Sequence, residues 1–169
     1  MLQKVIEYLN KRGWSYSRAD DDGSIFISLT HDNGTYHCII YAKDDANIFA
    51  FVSFLGTRCP PDKMESILRL INSANNALLY GNFEINQNGD IKHRTSFYLE
   101  HTVITDDIIE GVMMRNIYNL DFANPIFSRM MFGDMKNDEA MNLLFPHLKD
   151  ETKELSDVIT AIENTSNDK

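Results

Sequence analysis

The chain has 169 residues, 43% of them hydrophobic and 24% charged, with a formal net charge of −9. That length suits one compact domain with a real core and is too short for two comfortable ones. The acidity argues against nucleic acid and anionic membrane surfaces as partners, and reads most simply as a solubility feature.

The N-terminal run MLQKVIEYLNKRGW carries a charge every few residues and no continuous apolar stretch, so it reads as neither a signal peptide nor a membrane span. Leu2, Val5, Ile6 and Leu9 fall at i, i+3, i+4 and i+7, which predicts an amphipathic helix ended by Gly13. A short strand at 14–17 and the acidic turn Asp20-Asp21-Asp22-Gly23 follow, then three clearer strands near 24–30, 35–42 and 47–55. Asn33-Gly34 is a two-residue hairpin signal that would pair His31 with Tyr36, Leu29 with Cys38 and Ile27 with Ile40. Matching apolar partners for the next pair places Cys38 by Val52 and Ile40 by Ala50. One face then carries Ile25, Ile27, Leu29, Tyr36, Cys38, Ile40, Ala50, Val52 and Phe54, and should lie under helices.

The opposite face would hold Phe26, Ile39, Tyr41, Phe49 and Phe51 among small polar residues, more apolar surface than a wet face needs. Another helix of this chain, a second copy or a bound polypeptide would have to cover it. These five residues are the candidate partner or dimer surface.

Cys59-Pro60-Pro61 ends the third strand, and a helix starting at Pro61 or Asp62 buries Met64, Ile67, Leu68, Ile71 and Ala74. A second hairpin, 79–86 with 90–100, pairs Ile85 with Ile91, Phe83 with His93 and Glu84 with Lys92 around Gln87-Asn88-Gly89, with Gly89 at positive φ. Its outer face carries Asn82, Glu84, Lys92, Arg94 and Ser96. Thr105 is the N-cap of a third helix, with Asp106 and Asp107 complementing its dipole and Ile108, Ile109, Val112, Met113, Ile117 and Leu120 buried. Pro125 ends that helix near Phe122 or kinks it, and the apolar residues from Ile126 to Phe132 favour a kinked continuation. Beyond Met135 come eight acids against four bases, and Leu155, Val158, Ile159 and Ile162 have helical spacing, so the chain closes on an appended helix.

Chemistry is not advertised. His31, His37, His93, His101 and His147 fall in different elements without metal-ligand spacing, and His93 sits on the inward face of its strand. The acidic turn fails as a calcium loop, with Arg18 at the first ligand position and Leu29 where the bidentate Glu belongs. Cys38 and Cys59 lie far apart in the expected pairing, so no disulfide is expected, and Cys59 beside Arg58 is the only candidate thiol nucleophile. Glycine-rich phosphate loops and nucleophile elbows are missing. No catalytic residue, cofactor or metal is assigned, and a cytoplasmic location is expected.

Gly81, Phe83, Glu84, Gly89, Ile91, Arg94, Thr95 and Ser96, followed by a helix whose late proline precedes an apolar stretch closing on Phe132-Gly133, resemble the YbjN family over roughly residues 1–134. The resemblance implies an α+β fold similar to type III secretion chaperones: an antiparallel sheet packed by helices, order α-β(β)ββ-α-ββ-α plus a C-terminal helix, commonly dimeric. The departures are the 135–169 extension, treated as a separate acidic segment, and Asn124 before Pro125, where the family usually has an aromatic residue. The resulting expectation is a non-enzymatic, chaperone-like or regulatory protein-binding domain. Its partner would be itself, as a homodimer, or an extended segment of a client protein. The alternative is a small-molecule sensory domain with a pocket between sheet and helices.

Overall fold

The computed structural model describes residues 1–20, 23–100 and 102–146. The centre of the acidic turn, His101, His147 and the helix expected around 155–162 lie outside the described residues. Helix α1 (Leu2–Lys11) leads into a two-residue strand β1 (Ser17–Arg18), then β2 (Ile25–His31), β3 (Gly34–Lys43) and β4 (Ile48–Arg58). A 3-10 turn at Pro61–Lys63 opens α2 (Met64–Ala77); the hairpin β5 (Asn82–Ile85) and β6 (Asp90–Tyr98) precedes α3 (Asp106–Phe132) and α4 (Asn137–Leu144). The strands form one antiparallel sheet in the order β1-β2-β3-β4-β6-β5. The architecture is α+β, as expected.

One face of the sheet forms the core with the helices. Val5 and Leu9 of α1, Ile67 and Ile71 of α2 and Ile109, Ile117 and Phe127 of α3 bury against Ile25, Tyr36, Ile40, Phe49, Phe51 and Ile91. Helix α4 packs on α2 and α3 and adds Ala140 and Leu144 to the same core. In α2 the buried stripe takes Leu70 in place of the expected Leu68, which is 48% exposed.

Two registers differ from the sequence reading, with different consequences. The β2–β3 hairpin pairs His31 with Gly34, Leu29 with Tyr36 and Ile27 with Cys38 around the loop Asp32-Asn33. Neither Asn33 nor Gly34 takes a positive φ, so the local Asn-Gly turn preference is overridden. A two-residue slip keeps every side chain on its face. Between β3 and β4 the slip is one residue: Cys38 faces Ser53, Ile40 faces Phe51 and Tyr41 faces Ala50. That inverts β4. Phe49 and Phe51, expected on the partner surface, have no exposure and lie in the core, while Ala50, Val52 and Phe54 face outward with Phe26, Ile39 and Tyr41. The physical reason is in β4 itself, whose run Ile48-Phe49-Ala50-Phe51-Val52 is apolar in both phases and leaves the register unspecified by pattern.

What specifies it is polar chemistry from α3. Asn116, fully buried, donates through Nδ2 to the Phe51 carbonyl (3.1 Å), the His93 carbonyl (3.0 Å) and Thr95 Oγ1 (3.1 Å), and accepts from Ser53 Oγ. This ties the middle of α3 to β4 and β6 together. Nearer its C-terminus, Pro125 lies inside the uninterrupted helix and removes the N–H that would bond the Asp121 carbonyl. Asn33 Nδ2, from the β2–β3 turn, donates to that carbonyl at 3.2 Å. The Asp121 carboxylate accepts from Asn33 N (2.8 Å), Asn33 Nδ2 (3.0 Å) and Tyr36 Oη (2.7 Å), with His31 Nδ1 at 2.9 Å. Asn124 completes the clamp by donating to the Asn33 carbonyl (2.9 Å) and to Tyr36 Oη (3.1 Å).

The second hairpin has the expected pairs and loop. Gly81 and Gly89 both take positive φ, and a Cβ at either would press into backbone at about 2.6 Å or less, against the Arg94 carbonyl or the Cys59 carbonyl. Thr105 caps α3, its side chain accepting from Ile108 N at 3.3 Å.

The core should unfold with acid in two stages. Burial holds the His93 imidazole down to about 4 from its ordinary 6.5, the Asn116 contact and the Glu84 charge opposing it weakly. Between those values the unfolded chain binds a proton that the fold refuses, so stability falls as pH falls, by on the order of 3 kcal/mol. Burial also disfavours the Asp121 carboxylate, but Tyr36, Asn33 and His31 outweigh it and lower its pKa. Its contribution is present above the ordinary carboxylate range and is lost as pH drops through the lowered value. Urea midpoints measured between pH 7 and 3 should therefore decline on both limbs. His93→Leu should flatten the limb above pH 4 and Asp121→Asn the one below; an unchanged slope in either variant assigns the proton uptake elsewhere. Phe51→Ala should cost about 3–5 kcal/mol at neutral pH, as a core aromatic does.

Candidate functional site

The described helices all pack on one side of the sheet, and the other side is a surface made of cross-strand rows. One row runs Ser17, Phe26, Ile39, Val52, Arg94, Asn82, and the next runs Ser28, His37, Phe54, Lys92, Glu84. On the far side lie Tyr41, Ala50, Ser96 and then Lys43, Ile48, Tyr98. Phe26 is 40% exposed and Tyr98 is 64% exposed, whereas Val52 and Ala50 are buried beneath their larger row neighbours. Phe26, Ile39 and Tyr41 thus stand together as the sequence placed them. Phe49 and Phe51 are replaced there by Val52 and Phe54.

The face is concave at its β2 end. The segment from Gly13 to Ser17 rises along that side and, with Phe26, Ser28, His37, Ile39 and Phe54, encloses a groove of about 1010 Å³. Strand β1 pairs only with Ile25 and Phe26, so among the described residues the β2 edge from Ile27 to His31 carries no partner strand beside the groove. The opposite end is charged. Lys92 Nζ and Arg94 Nε share one carboxylate, Glu84, each at 2.7 Å. Burial works against Glu84 ionisation, yet Arg94, Lys92 and Asn82 together hold its pKa down to about 2.

A second, smaller groove of about 300 Å³ lies between β6 and the first half of α3. Phe97, Leu99, Ile108 and Val112 line it, with Arg115 stacked over the Tyr80 ring at 5.5 Å. Strand β5 stops opposite Arg94, so the β6 edge from Thr95 to Tyr98 is unpaired there among the described residues.

The thiols and the Asp121 carboxylate are closed off, whereas His37, hydrogen-bonded to Ser28 Oγ at 3.1 Å, is exposed on the groove. Both thiols are free and buried; burial pushes Cys38 up to about 12 and raises Cys59, helped by Asp62, so neither is a ready thiolate. His31, Asp32 and Asp121 bring ligand atoms within 4.8 Å of one another, a cluster that sequence spacing hid because Asp121 lies far along the chain on α3. The oxygens of Asp121 already serve Tyr36 and Asn33 donors, so a cation there would compete with the clamp on the hairpin. Among the described residues no helix is long and apolar enough to cross a membrane.

Comparison with known proteins agrees with this architecture. Residues 2–116 match the family model YbjN, described as "Putative bacterial sensory transduction regulator". No curated protein has a matching sequence. Among solved structures the fold is similar to that titled "Crystal structure of YbjN, a putative transcription regulator from E. coli", with a TM-score of 0.52 and 13% identity over 70% of this chain and 84% of that one. The family match takes in the sheet, both hairpins and the half of α3 that ends on Asn116, and the chain belongs to the YbjN family.

Proposed function

We propose that this chain is a non-enzymatic regulatory domain of the cytoplasm that binds polypeptide on the outer face of its sheet. The observation that carries the reading is the row of Phe26 and Ile39 over a buried Val52, with Phe54 beside it, which no described element covers, set against a β2 edge open among the described residues. An extended segment of a client, or a second copy, gains apolar burial on that row and main-chain hydrogen bonds on the edge. The family description supports a regulatory role. The solved relative is titled a transcription regulator. Here a net charge of −9, and cations on this face that share Glu84, favour a protein partner over nucleic acid. Two buried, protonated thiols and an Asp121 taken up by hydrogen bonds support a role without chemistry.

A second reading is favoured by the groove beside Arg115, whose apolar walls, with Arg115 and Asp107 both on the lining, suit a small molecule between sheet and helix. A thermal-shift screen of small molecules separates the two, since a specific ligand raises the melting temperature by mass action.

The face is tested by light scattering over a range of concentrations. The wild type should associate as concentration rises, and Ile39→Asp or Phe54→Asp should weaken that association at least about tenfold, roughly 1.4 kcal/mol, while far-UV circular dichroism stays native. Association indifferent to both substitutions would remove this face from the function.

A further inference from the structure

We propose that the free edge of β6 and the first half of α3 form a contact with a second copy of this chain, about a two-fold axis passing beside Phe97 and Gly111. The contact goes beyond the polypeptide-binding reading and uses a different surface. The outer sheet face stays open in this dimer, and the association expected there joins dimers to one another or to a client.

The first argument is hydrogen bonding. Asn86 N donates to the Asp90 carbonyl, and the ladder continues with Glu84 opposite Lys92 and Asn82 opposite Arg94. Even-numbered residues of β6 therefore turn their main-chain groups to this edge, while Leu99 N donates to the Asn47 carbonyl on the β4 side. The next two beyond Arg94 are Ser96 and Tyr98, which no described strand meets on this edge. An antiparallel copy of the same edge, with Phe97 on the axis, sets each Ser96 against the other copy's Tyr98 and satisfies both pairs.

The second argument is charge. The small groove beside this edge has Phe97 midway along its strand wall, between Thr95 and Leu99, and Gly111 midway along its helix wall, between Asp107 and Arg115. Antiparallel packing of two α3 helices about Gly111 brings Asp107 of each copy to Arg115 of the other. Neither residue has an ion pair with another described residue, Arg115 being stacked only on Tyr80. The same operation carries Leu79, beside Tyr80 at the Arg115 end, toward Val103, just before the helix at the Asp107 end. These two are the most exposed large hydrophobic residues described.

The third is spacing. Helix α3 packs on β4 and β6 alike, so its axis runs about midway between them, ~2.4 Å inside β6 at ordinary strand spacing. The two-fold axis lies a further ~2.4 Å outside β6, half of the next strand spacing. The two helices then stand ~10 Å apart, at the upper end of ordinary helix contact. Gly111 sits where they are nearest. A Cβ there would meet nothing within 4 Å in this chain, so nothing inside the protomer calls for glycine at a helical position where alanine is more favourable. A facing backbone does.

Charge reversal in the full chain, read by native mass spectrometry, tests this. The wild type should be a dimer. Asp107→Lys and Arg115→Asp, each alone, set like charges together at both contacts and should weaken the dimer at least about tenfold while circular dichroism stays native. Mixed in equal amounts, the two variants meet with opposite charges at both contacts, so a heterodimer should form in preference to either homodimer. A damaged fold in either chain cannot produce that rescue. A monomeric wild type, variants that dimerise as the wild type does, or a mixture without heterodimer would each overturn the proposal. Ile39→Asp separates this contact from the outer face and should leave the dimer intact. A dimer lost in Ile39→Asp but kept in both charge variants overturns the proposal and puts self-association on the outer face.

Discussion

A proline inside a long helix leaves one carbonyl without its donor, and the way this chain satisfies that carbonyl organises much of the molecule. Pro125 strips the Asp121 carbonyl of its partner, and the Asn33 side chain, at the tip of the β2–β3 hairpin, supplies the missing hydrogen bond. The same asparagine donates to the Asp121 carboxylate through its backbone and its side chain, while Asn124 accepts the role of donor to its carbonyl. A defect in α3 and a tight turn between strands thereby solve each other. Leaving such buried groups unpaired costs about 1–3 kcal/mol each, so the hairpin loop is held at Asp32-Asn33 against its local preference. Asn116 repeats the arrangement at the middle of the helix, where its amide reaches two strand carbonyls that lie on neighbouring strands.

The two polar anchors also decide which face of the sheet is free. Strand β4 could place either Phe49 and Phe51 or Ala50 and Val52 under the helices, with hydrophobic residues inward in both cases. Only one choice puts Ser53 against Asn116, and only that choice fills the space beneath α3 with the two large rings. The small residues then go outward, where Ile39, Tyr41 and Phe54 close over them. The outer face is consequently lower and more continuous than it would be with two phenylalanines standing on it. That shape suits a segment lying flat across the strands.

Local signals were legible where local chemistry rules. The pairing and loop of the second hairpin were readable, though its strands are shorter than the expected 79–86 and 90–100, because Gly89 has to meet the Cys59 backbone without a Cβ and Glu84 needs the Lys92 and Arg94 cations. The Thr105 cap and the apolar stripe of α3 were equally plain. Registers fixed from a distance were not. Asn33-Gly34 looks like a self-sufficient turn, and nothing near it announces Asp121 or Asn124 on a helix almost ninety residues later. For the candidate site, Phe26, Ile39 and Tyr41 survived, since a two-residue slip preserves faces; Phe49 and Phe51 did not, since β4 slipped by one. Ser53 was the available clue: a serine amid apolar residues in a central strand needs a buried partner, and an inward Ser53 places the aromatics inward too.

The same ambiguity in β4 carries information about use. A strand with one wet face alternates, and a strand buried on both faces reads as a continuous apolar run. From Ile48 to Leu55 this strand has one polar residue, Ser53, and that residue points into the core. Its outward positions, Ile48, Ala50, Val52 and Phe54, are all apolar in the middle of a sheet that the described helices cover on one side only. The strands to either side do not share the pattern: adjoining β3 mixes His37 and Lys43 with Ile39 and Tyr41, β2 beyond it alternates Phe26 with Ser28 and Thr30, and β6 puts Lys92, Arg94 and Ser96 outward. The apolar demand is therefore a band down the centre, bordered by hydroxyls on one side and cations on the other. A band of that width fits a single helix or strand better than a whole second sheet. The polar borders lower the cost of uncovering it, as a surface that trades one polypeptide for another requires.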